Sequence, residues 1–232
     1  MTCKNSMCGI IALFGEEVDI SSYLLNHRGP DDYRTSKIGK CRMDFYRLAI
    51  NDLTDAGMQP FIQNKAMLVC NGEIYNHREF RLGNEKSNSD CEILIPMIQT
   101  FGIMKTVEMI NGDFAFVYTD GKRIMAARDP VGVRPLFYTR YDDNSIAFAS
   151  EVKALTSLGA EIHIFPPGHI YDSYIDDFVC YHTGYWHVNK HVNGGMTKQI
   201  RESFEKAVHL RLDNTERDIG FLLSGGLDSS LI

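Results

Sequence analysis

Cys8 follows Met7 at the head of a short apolar run. As the first residue of a chain, a cysteine carries a free α-amine with an unperturbed pKa of about 7.7–8.0. That amine can take the thiol proton, directly or through a water, so one residue supplies both nucleophile and base. With Met1 as the start, the Cys8 nitrogen lies in an amide and is no base. Such chemistry therefore requires initiation at Met7 or removal of the residues before Cys8; otherwise it is absent. Alone, Cys8 reads as a buried strand cysteine.

Other strings could serve the same chemistry. Asn71-Gly72-Glu73-Ile74-Tyr75-Asn76 follows an apolar strand. The Asn71 amide and the Gly72 N–H could meet at one spot and hold a developing oxyanion, although Asn-Gly is also a plain turn dipeptide. Arg47, at a strand end, can grip a carboxylate with two N–H groups. Asp90, at a helix start, can pair with an ammonium. His27-Arg28-Gly29-Pro30-Asp31 is a charged turn. Near the end, Ser224-Gly225-Gly226-Leu227-Asp228-Ser229-Ser230 follows Leu222-Leu223. Its backbone N–H groups, clear of Cβ atoms, suit phosphate oxygens at a helix N-terminus. It is not the Walker pattern, because the spacing differs and the lysine is missing. Cys180, His182, His187 and His191 crowd one stretch, but their spacing fits no familiar zinc site. They read as surface linker, with no metal.

These residues need a frame. Cys8 to Phe14 reads as a strand closed by Gly15, and Ile20 to Asn26 as a short helix. Strands are expected near 42–50, 66–71, 134–138, 146–149 and 169–174. Asp90 to Thr100 has helical apolar spacing and should stop at Gly102. Residues 114–118 and 124–126 flank Asp120-Gly121, a hairpin signal. Residues 176–195 read as a linker. Thr197 to Leu212 is an amphipathic helix, and Ile219 to Leu223 an apolar strand feeding the glycine turn. Helix, buried strand and glycine turn are how an α/β nucleotide-binding domain begins.

Composition sets the outer limits. The 232 residues carry 24 Lys plus Arg and 30 Asp plus Glu, a net charge of −6. At roughly 150 residues per domain this is one large domain, or one plus a fragment. Mild acidity gives no support to a nucleic-acid surface. No apolar stretch approaches the ~18–20 residues of a membrane span. Six cysteines without a C-x-x-C pair read as reduced thiols in the cytoplasm. The stretch from Lys4 to Gly15 lacks a signal-peptide cleavage site and runs into Glu16 and Glu17.

Taken together, Met7-Cys8-Gly9-Ile10, R-G-P-D at 28–31, N-G-E-I-Y-N at 71–76, R-D-P-V-G-V-R-P-L at 128–136 and S-G-G-L-D-S-S at 224–230 resemble glutamine-dependent asparagine synthetases, the eukaryotic type most of all. The set, in this order, covers residues 7–232. The resemblance implies an α+β fold, a four-layer α-β-β-α N-terminal-nucleophile sandwich, over 8–185. A linker and the truncated start of an ATP-dependent synthetase domain would fill 186–232. It implies Cys8 as nucleophile, with its own α-amine as base, and Asn71 and Gly72 as oxyanion holders. Arg47 would bind the glutamine α-carboxylate and Asp90 its α-ammonium. Leu48, Ala49, Ile50, Asn51 and Glu73 would line the pocket. Leu223, Ser224, Gly225, Gly226, Leu227, Asp228 and Ser229 would meet the nucleotide. The glutaminase needs no cofactor; a complete synthetase needs ATP with Mg, and aspartate. Three readings follow: a glutaminase, a subunit whose second domain is completed by a separate synthetase chain, and a non-catalytic relic or glutamine-binding regulator; the partners expected are a second copy in a homodimer or a split synthetase partner.

Overall fold

The computed structural model describes residues 7–16, 18, 20, 24–83, 85–142, 145–183 and 195–231. The chain divides into two compact units, 1–184 and 185–232.

The first unit holds, in chain order, β1 (Gly9–Phe14), β2 (Asp32–Ile38), β3 (Cys41–Arg47), β4 (Phe61–Gln63), β5 (Ala66–Ile74), helix α1 (Leu94–Met109), β6 (Gly112–Thr119), β7 (Ile124–Arg128), β8 (Phe137–Asp142), β9 (Ser145–Ala149), β10 (Ile162–Ile164), β11 (His169–Asp172) and β12 (Asp177–Cys180). Among the described residues these strands form two six-stranded sheets, β10-β8-β9-β1-β3-β2 and β12-β11-β7-β6-β5-β4. Every strand pair is antiparallel.

Strand alternation decides what each face buries. From β1, Ile10 and Ala12 join Met43 and Phe45 of β3 and Met67 and Val69 of β5 in one apolar layer between the sheets. The other face of β5, with Leu68 and Cys70, packs on Leu94, Ile98 and Val107 of α1. The other face of β1, with Ile11 and Leu13, is covered by Leu25, Ala154 and Leu155. This outer layer is made of turns: Leu24–Arg28 is a turn, and 152–154 and 156–158 are 3-10 turns. Most of the short helix expected from Ile20 lies outside the described residues.

Several boundaries differ from the sequence reading. Asp90–Ile93 is a 3-10 turn that leads into α1. The helix does not stop at Gly102; it breaks there, at φ 78°, and resumes to Met109. Glycine meets that φ without a Cβ penalty. β2 shows no apolar alternation because it is a sheet edge with no fully buried side chain. β12 falls inside the stretch expected to be linker. Phe178 draws it in, packing on Tyr138, Phe165 and Tyr171 with ring centres 4.8–5.3 Å apart.

The second unit contains α2 (Met196–Leu212) and α3 (Leu227–Leu231). The expected strand Ile219 to Leu223 does not form, and Leu222 is 83% exposed. A strand needs a neighbour for its N–H and C=O groups, and this unit holds no other strand among its described residues.

Candidate active site

Cys8 sits one residue before β1, in phase with Ile10 and Ala12, so its side chain faces the layer between the sheets. Two groups hold it. Leu48 N–H donates to Cys8 Sγ at 3.3 Å, and the thiol lies 3.4 Å from the Leu48 carbonyl. Arg28 Nε donates to the Cys8 carbonyl at 3.1 Å, while its Nη1 meets Glu151 at 3.0 Å. Gly29 lets the R-G-P-D turn come this close, because a Cβ there would strike the Tyr46 carbonyl. Asp31 accepts the Ala49 N–H at 2.8 Å. Burial pushes the Cys8 thiol up to about 11, against the opposing Leu48 N–H. The sulfur is therefore protonated at neutral pH, and a base must take its proton at the moment of attack.

Asn71 lies on β5 in phase with Met67 and Val69, so its amide faces the same layer as Cys8. It is buried, and its Nδ2 has no hydrogen-bond partner. The groups on the free edge of β5 explain the next donor. Cys70, Gly72 and Ile74 turn their backbone groups away from β6. Cys70 N–H and C=O are both taken by the Gln59 amide, at 2.6 and 3.2 Å. The Gly72 carbonyl faces Cys91 Sγ at 3.7 Å. Ile74 N–H donates to Asp90 Oδ2 at 2.6 Å. No hydrogen bond among the described residues takes the Gly72 N–H. Gly72 must be glycine, since a Cβ would press into Asp113 and Phe114 of β6.

A cavity of about 40 Å³ gathers Cys8, Arg47, Leu48, Ala49, Ile50, Asn51, Gly72, Glu73 and Asp90, with Gln59, Cys70 and Cys91. These expected pocket residues are thus brought together; Asn71, expected with them, does not line this cavity and sits on β5 between Cys70 and Gly72, which do. Some already have partners. Arg47 Nη1 donates to the Thr54 carbonyl at 2.7 Å and Nη2 to that of Asp52, which folds the loop after β3. Asp90 Oδ1 accepts from Asn51 Nδ2 at 3.2 Å. Glu73 faces Arg134 at 3.4 Å. Asp129 builds the R-D-P-V-G-V-R-P-L turn: its carboxylate accepts the N–H groups of Val131, Gly132, Val133 and Arg134 at 2.6–3.1 Å. The sequence reading missed Gln59 and the anchoring tasks of Arg28 and Asp129. A larger cleft, about 710 Å³, lies at the far end of β1, beside Phe14, and takes in none of the expected site residues.

A glutamine amidotransferase domain matches residues 7–196. The chain belongs to the glutamine amidotransferase domain family. The end of this amidotransferase chain, residues 199–232, matches asparagine synthase. It is 38% identical to asparagine synthetase [glutamine-hydrolyzing] 2 of Oryza sativa subsp. japonica, over 97% of this chain and 41% of that one. It is 36% identical to a probable asparagine synthetase [glutamine-hydrolyzing] of Dictyostelium discoideum, over 97% and 45%. It is 39% identical to asparagine synthetase [glutamine-hydrolyzing] 1 of Saccharomyces cerevisiae, over 97% and 42%. The chain thus spans less than half the length of these eukaryotic relatives. Among solved structures, glutamine PRPP amidotransferase from B. subtilis superposes with a TM-score of 0.62 at 21% identity, covering 76% of this chain and 50% of that one. That likeness shows the fold: an α+β sandwich built on two antiparallel sheets, as the family resemblance implies.

In the second unit of the amidotransferase chain, Ser224 to Ser230 turns through Gly225, at φ 79°, into α3. Ser224 and Ser229 hydroxyls meet at 2.9 Å, and Ser230 Oγ donates to the Gly226 carbonyl at 2.7 Å. Leu223 and Leu227 are exposed. Hydroxyl and amide donors of this kind suit phosphate oxygens. No group of His, Cys, Asp and Glu that could hold a metal occurs among the described residues, and His187 and His191 lie outside them. No helix among the described residues is long and apolar enough to cross a membrane.

Proposed function

We propose that this domain, with Cys8 as its first residue, hydrolyses glutamine to glutamate and ammonia. One observation carries the reading. Two donors on the strand that flanks the Cys8 thiol, the buried Asn71 Nδ2 and the half-buried Gly72 N–H, lack partners among the described residues, while Cys70 and Ile74 on that edge are satisfied. Buried polar groups in native proteins are nearly always paired, so an unpaired pair beside a nucleophile suits an anion that forms during reaction.

The Cys8 α-amine takes the thiol proton, and Sγ attacks the glutamine side-chain carbonyl carbon. Asn71 and Gly72 hold the oxyanion. The ammonium group returns its proton to the departing nitrogen, which leaves as ammonia. Water then attacks the thioester, releasing glutamate and restoring the thiol. Leu48 orients Sγ, and Arg28 fixes the backbone of residue 8. The remaining N–H groups of Arg47 bind the substrate α-carboxylate, and Asp90 its α-ammonium. Leu48 to Asn51 and Glu73 enclose the chain of the substrate.

In a complete synthetase the ammonia passes to aspartate activated by ATP with Mg. The backbone and hydroxyls of Ser224 to Ser229 would hold phosphate oxygens there, with Leu223 beside the nucleotide. The rest of that domain would come from further polypeptide, joined to this one or separate. Free thiols at Cys41, Cys70, Cys91 and Cys180 support a cytoplasmic setting.

The test is an intact mass followed by an assay. A preparation whose mass begins at Cys8 should release glutamate from glutamine, and Cys8→Ala should reduce this to background, on the order of 10⁴-fold or more. Equal turnover in Cys8→Ala sinks the proposal. Glutamine binding without turnover in the Cys8-initiated protein leaves the non-catalytic reading.

A further inference from the structure

The register of β4 on β5 pairs Phe61 with Leu68, Ile62 with Met67 and Gln63 with Ala66. Continued by two residues, it sets Gln59 opposite Cys70. Backbone pairing stops before that point, at Phe61. The Gln59 side chain completes the pair instead, donating to the Cys70 carbonyl and accepting its N–H. Paired backbones lie about 4.8 Å apart. An interposed side chain holds them further apart, and the edge beyond Cys70 opens into the cavity that Gln59 and Gly72 both line. Gln59 is buried, 5% exposed. It also joins two halves of the site. On one side is the loop from Leu48 to Gly57, which carries the Cys8 contact and is folded by Arg47. On the other is the strand bearing Asn71 and Gly72.

We infer that Gln59 is a positioning residue for the oxyanion donors: its amide replaces a strand neighbour at Cys70, fixing the direction of the Gly72 N–H and Asn71 while keeping that edge uncovered. The inference rests on the glutaminase reading above. Gln59 touches no reacting atom. Its effect belongs to the step in which charge develops on the carbonyl oxygen, not to the grip on the α-carboxylate and α-ammonium by Arg47 and Asp90.

The experiment uses the Cys8-initiated protein, with Gln59→Met, Gln59→Asn and, as a control, Thr119→Val. Thr119 is buried and makes the same kind of side-chain-to-backbone bonds, to Arg123 O at 2.6 Å and from Gly121 N at 3.0 Å, in the β6–β7 turn. Three quantities are measured: kcat and KM for glutamine, affinity for glutamate γ-semialdehyde, and affinity for glutamate. The aldehyde adds Cys8 Sγ across its C=O, placing an oxygen where the oxyanion forms; glutamate does not. In the Gln59 variants kcat should fall roughly 10- to 100-fold, with KM within about twofold. Aldehyde affinity should fall by a similar factor and glutamate affinity should hold. Thr119→Val should keep kcat despite a lower melting point. If Gln59→Met does not fold, Gln59→Asn, with both amide groups on a shorter stem, gives the same reading. Unchanged kcat in a folded Gln59 variant overturns the inference, and so does an equal fall in Thr119→Val. A Cys8-initiated wild type that neither turns over glutamine nor binds the aldehyde overturns the glutaminase reading and this inference with it. An active wild type with unaffected variants overturns this inference alone.

Discussion

The two units hold their motifs in different ways. In the sandwich, the motif residues find partners far along the chain. Cys8 meets Leu48, 40 residues away; Arg28 meets Glu151, 123 away; and Ile10 N–H meets Ser150, 140 away. In the second unit the bonds at the glycine turn and along α2 are local: Ser224 to Ser229, five residues apart, and Arg201 to Glu205, four apart. Long-range bonds must first overcome the entropy of closing long loops, so they persist only as part of a packed core. That core sits between the sheets and under α1. α2, by contrast, buries none of its residues, and Leu222, Leu223 and Leu227 are exposed. Two glycine-containing strings of similar clarity in the sequence therefore differ physically. Around Gly72 the backbone is fixed from several directions, whereas the hydrogen bonds around Gly225 among the described residues come from its own turn.

The contrast is tested most severely at Asn71. Asn71→Leu keeps roughly the size of the side chain and removes a buried donor that has no partner. Stability should be unchanged or slightly higher, since the folded state no longer carries the cost of an unsatisfied group. The kcat of the Cys8-initiated protein should fall about 10²–10³-fold, as for loss of one oxyanion donor. Urea titrations beside steady-state kinetics check both halves. A loss of stability above about 1 kcal/mol would mean that Nδ2 is paired in solution, and that the site is less specialised than the contrast holds.

The next effect concerns stability rather than chemistry. Asp129 is buried and takes four backbone N–H groups with its carboxylate. Asp129→Ala leaves those donors unmet and should cost about 2–4 kcal/mol, less than the sum of separate bonds because the turn can relax toward water. The urea midpoint should drop, and Arg134 should lose its hold on Glu73, raising KM for glutamine more than it lowers kcat. A change below about 1 kcal/mol would show that this turn, like the one at Gly225, is shaped mainly by its own residues.

Which features the sequence disclosed follows from the range of the forces involved. β1, β5 and the β6–β7 hairpin were legible, because a two-sheet core writes apolar runs and a turn dipeptide directly into Cys8–Phe14, Ala66–Cys70 and Asp120-Gly121. β2 was not, since an exposed edge places no such demand on Asp32 to Ile38. Ile219 to Leu223 looked like a buried strand because its composition is that of one; pairing, which composition does not supply, is what it lacks. In the site, Cys8, Asn71 and Gly72 lie in recognisable strings and Asp90 at a predicted helix start; the structure gathers Cys8, Gly72 and Asp90 round one cavity, with Asn71 on β5 next to Gly72. Gln59 left no local signal, because its meaning comes from the register that sets it against Cys70, eleven residues on.

The smallest expected effect sharpens the contrast from the other side. Leu222 is a large apolar residue in the stretch that leads to the glycine turn, and in the sandwich such a residue would be core. Here it is 83% exposed. Leu222→Ser in the 232-residue chain should therefore change folding stability by less than about 0.5 kcal/mol, the range of an ordinary surface substitution. It should also reduce self-association, because Phe221, Leu222 and Leu223 together form an exposed apolar run, and such patches drive chains together. Urea denaturation followed by far-ultraviolet circular dichroism reads the first effect, and light scattering across a concentration series reads the second. A cost above about 1 kcal/mol would place Leu222 against a packed surface in solution, and the division between a unit fixed by its core and a unit shaped by local bonds would then fail at the residue chosen to represent it.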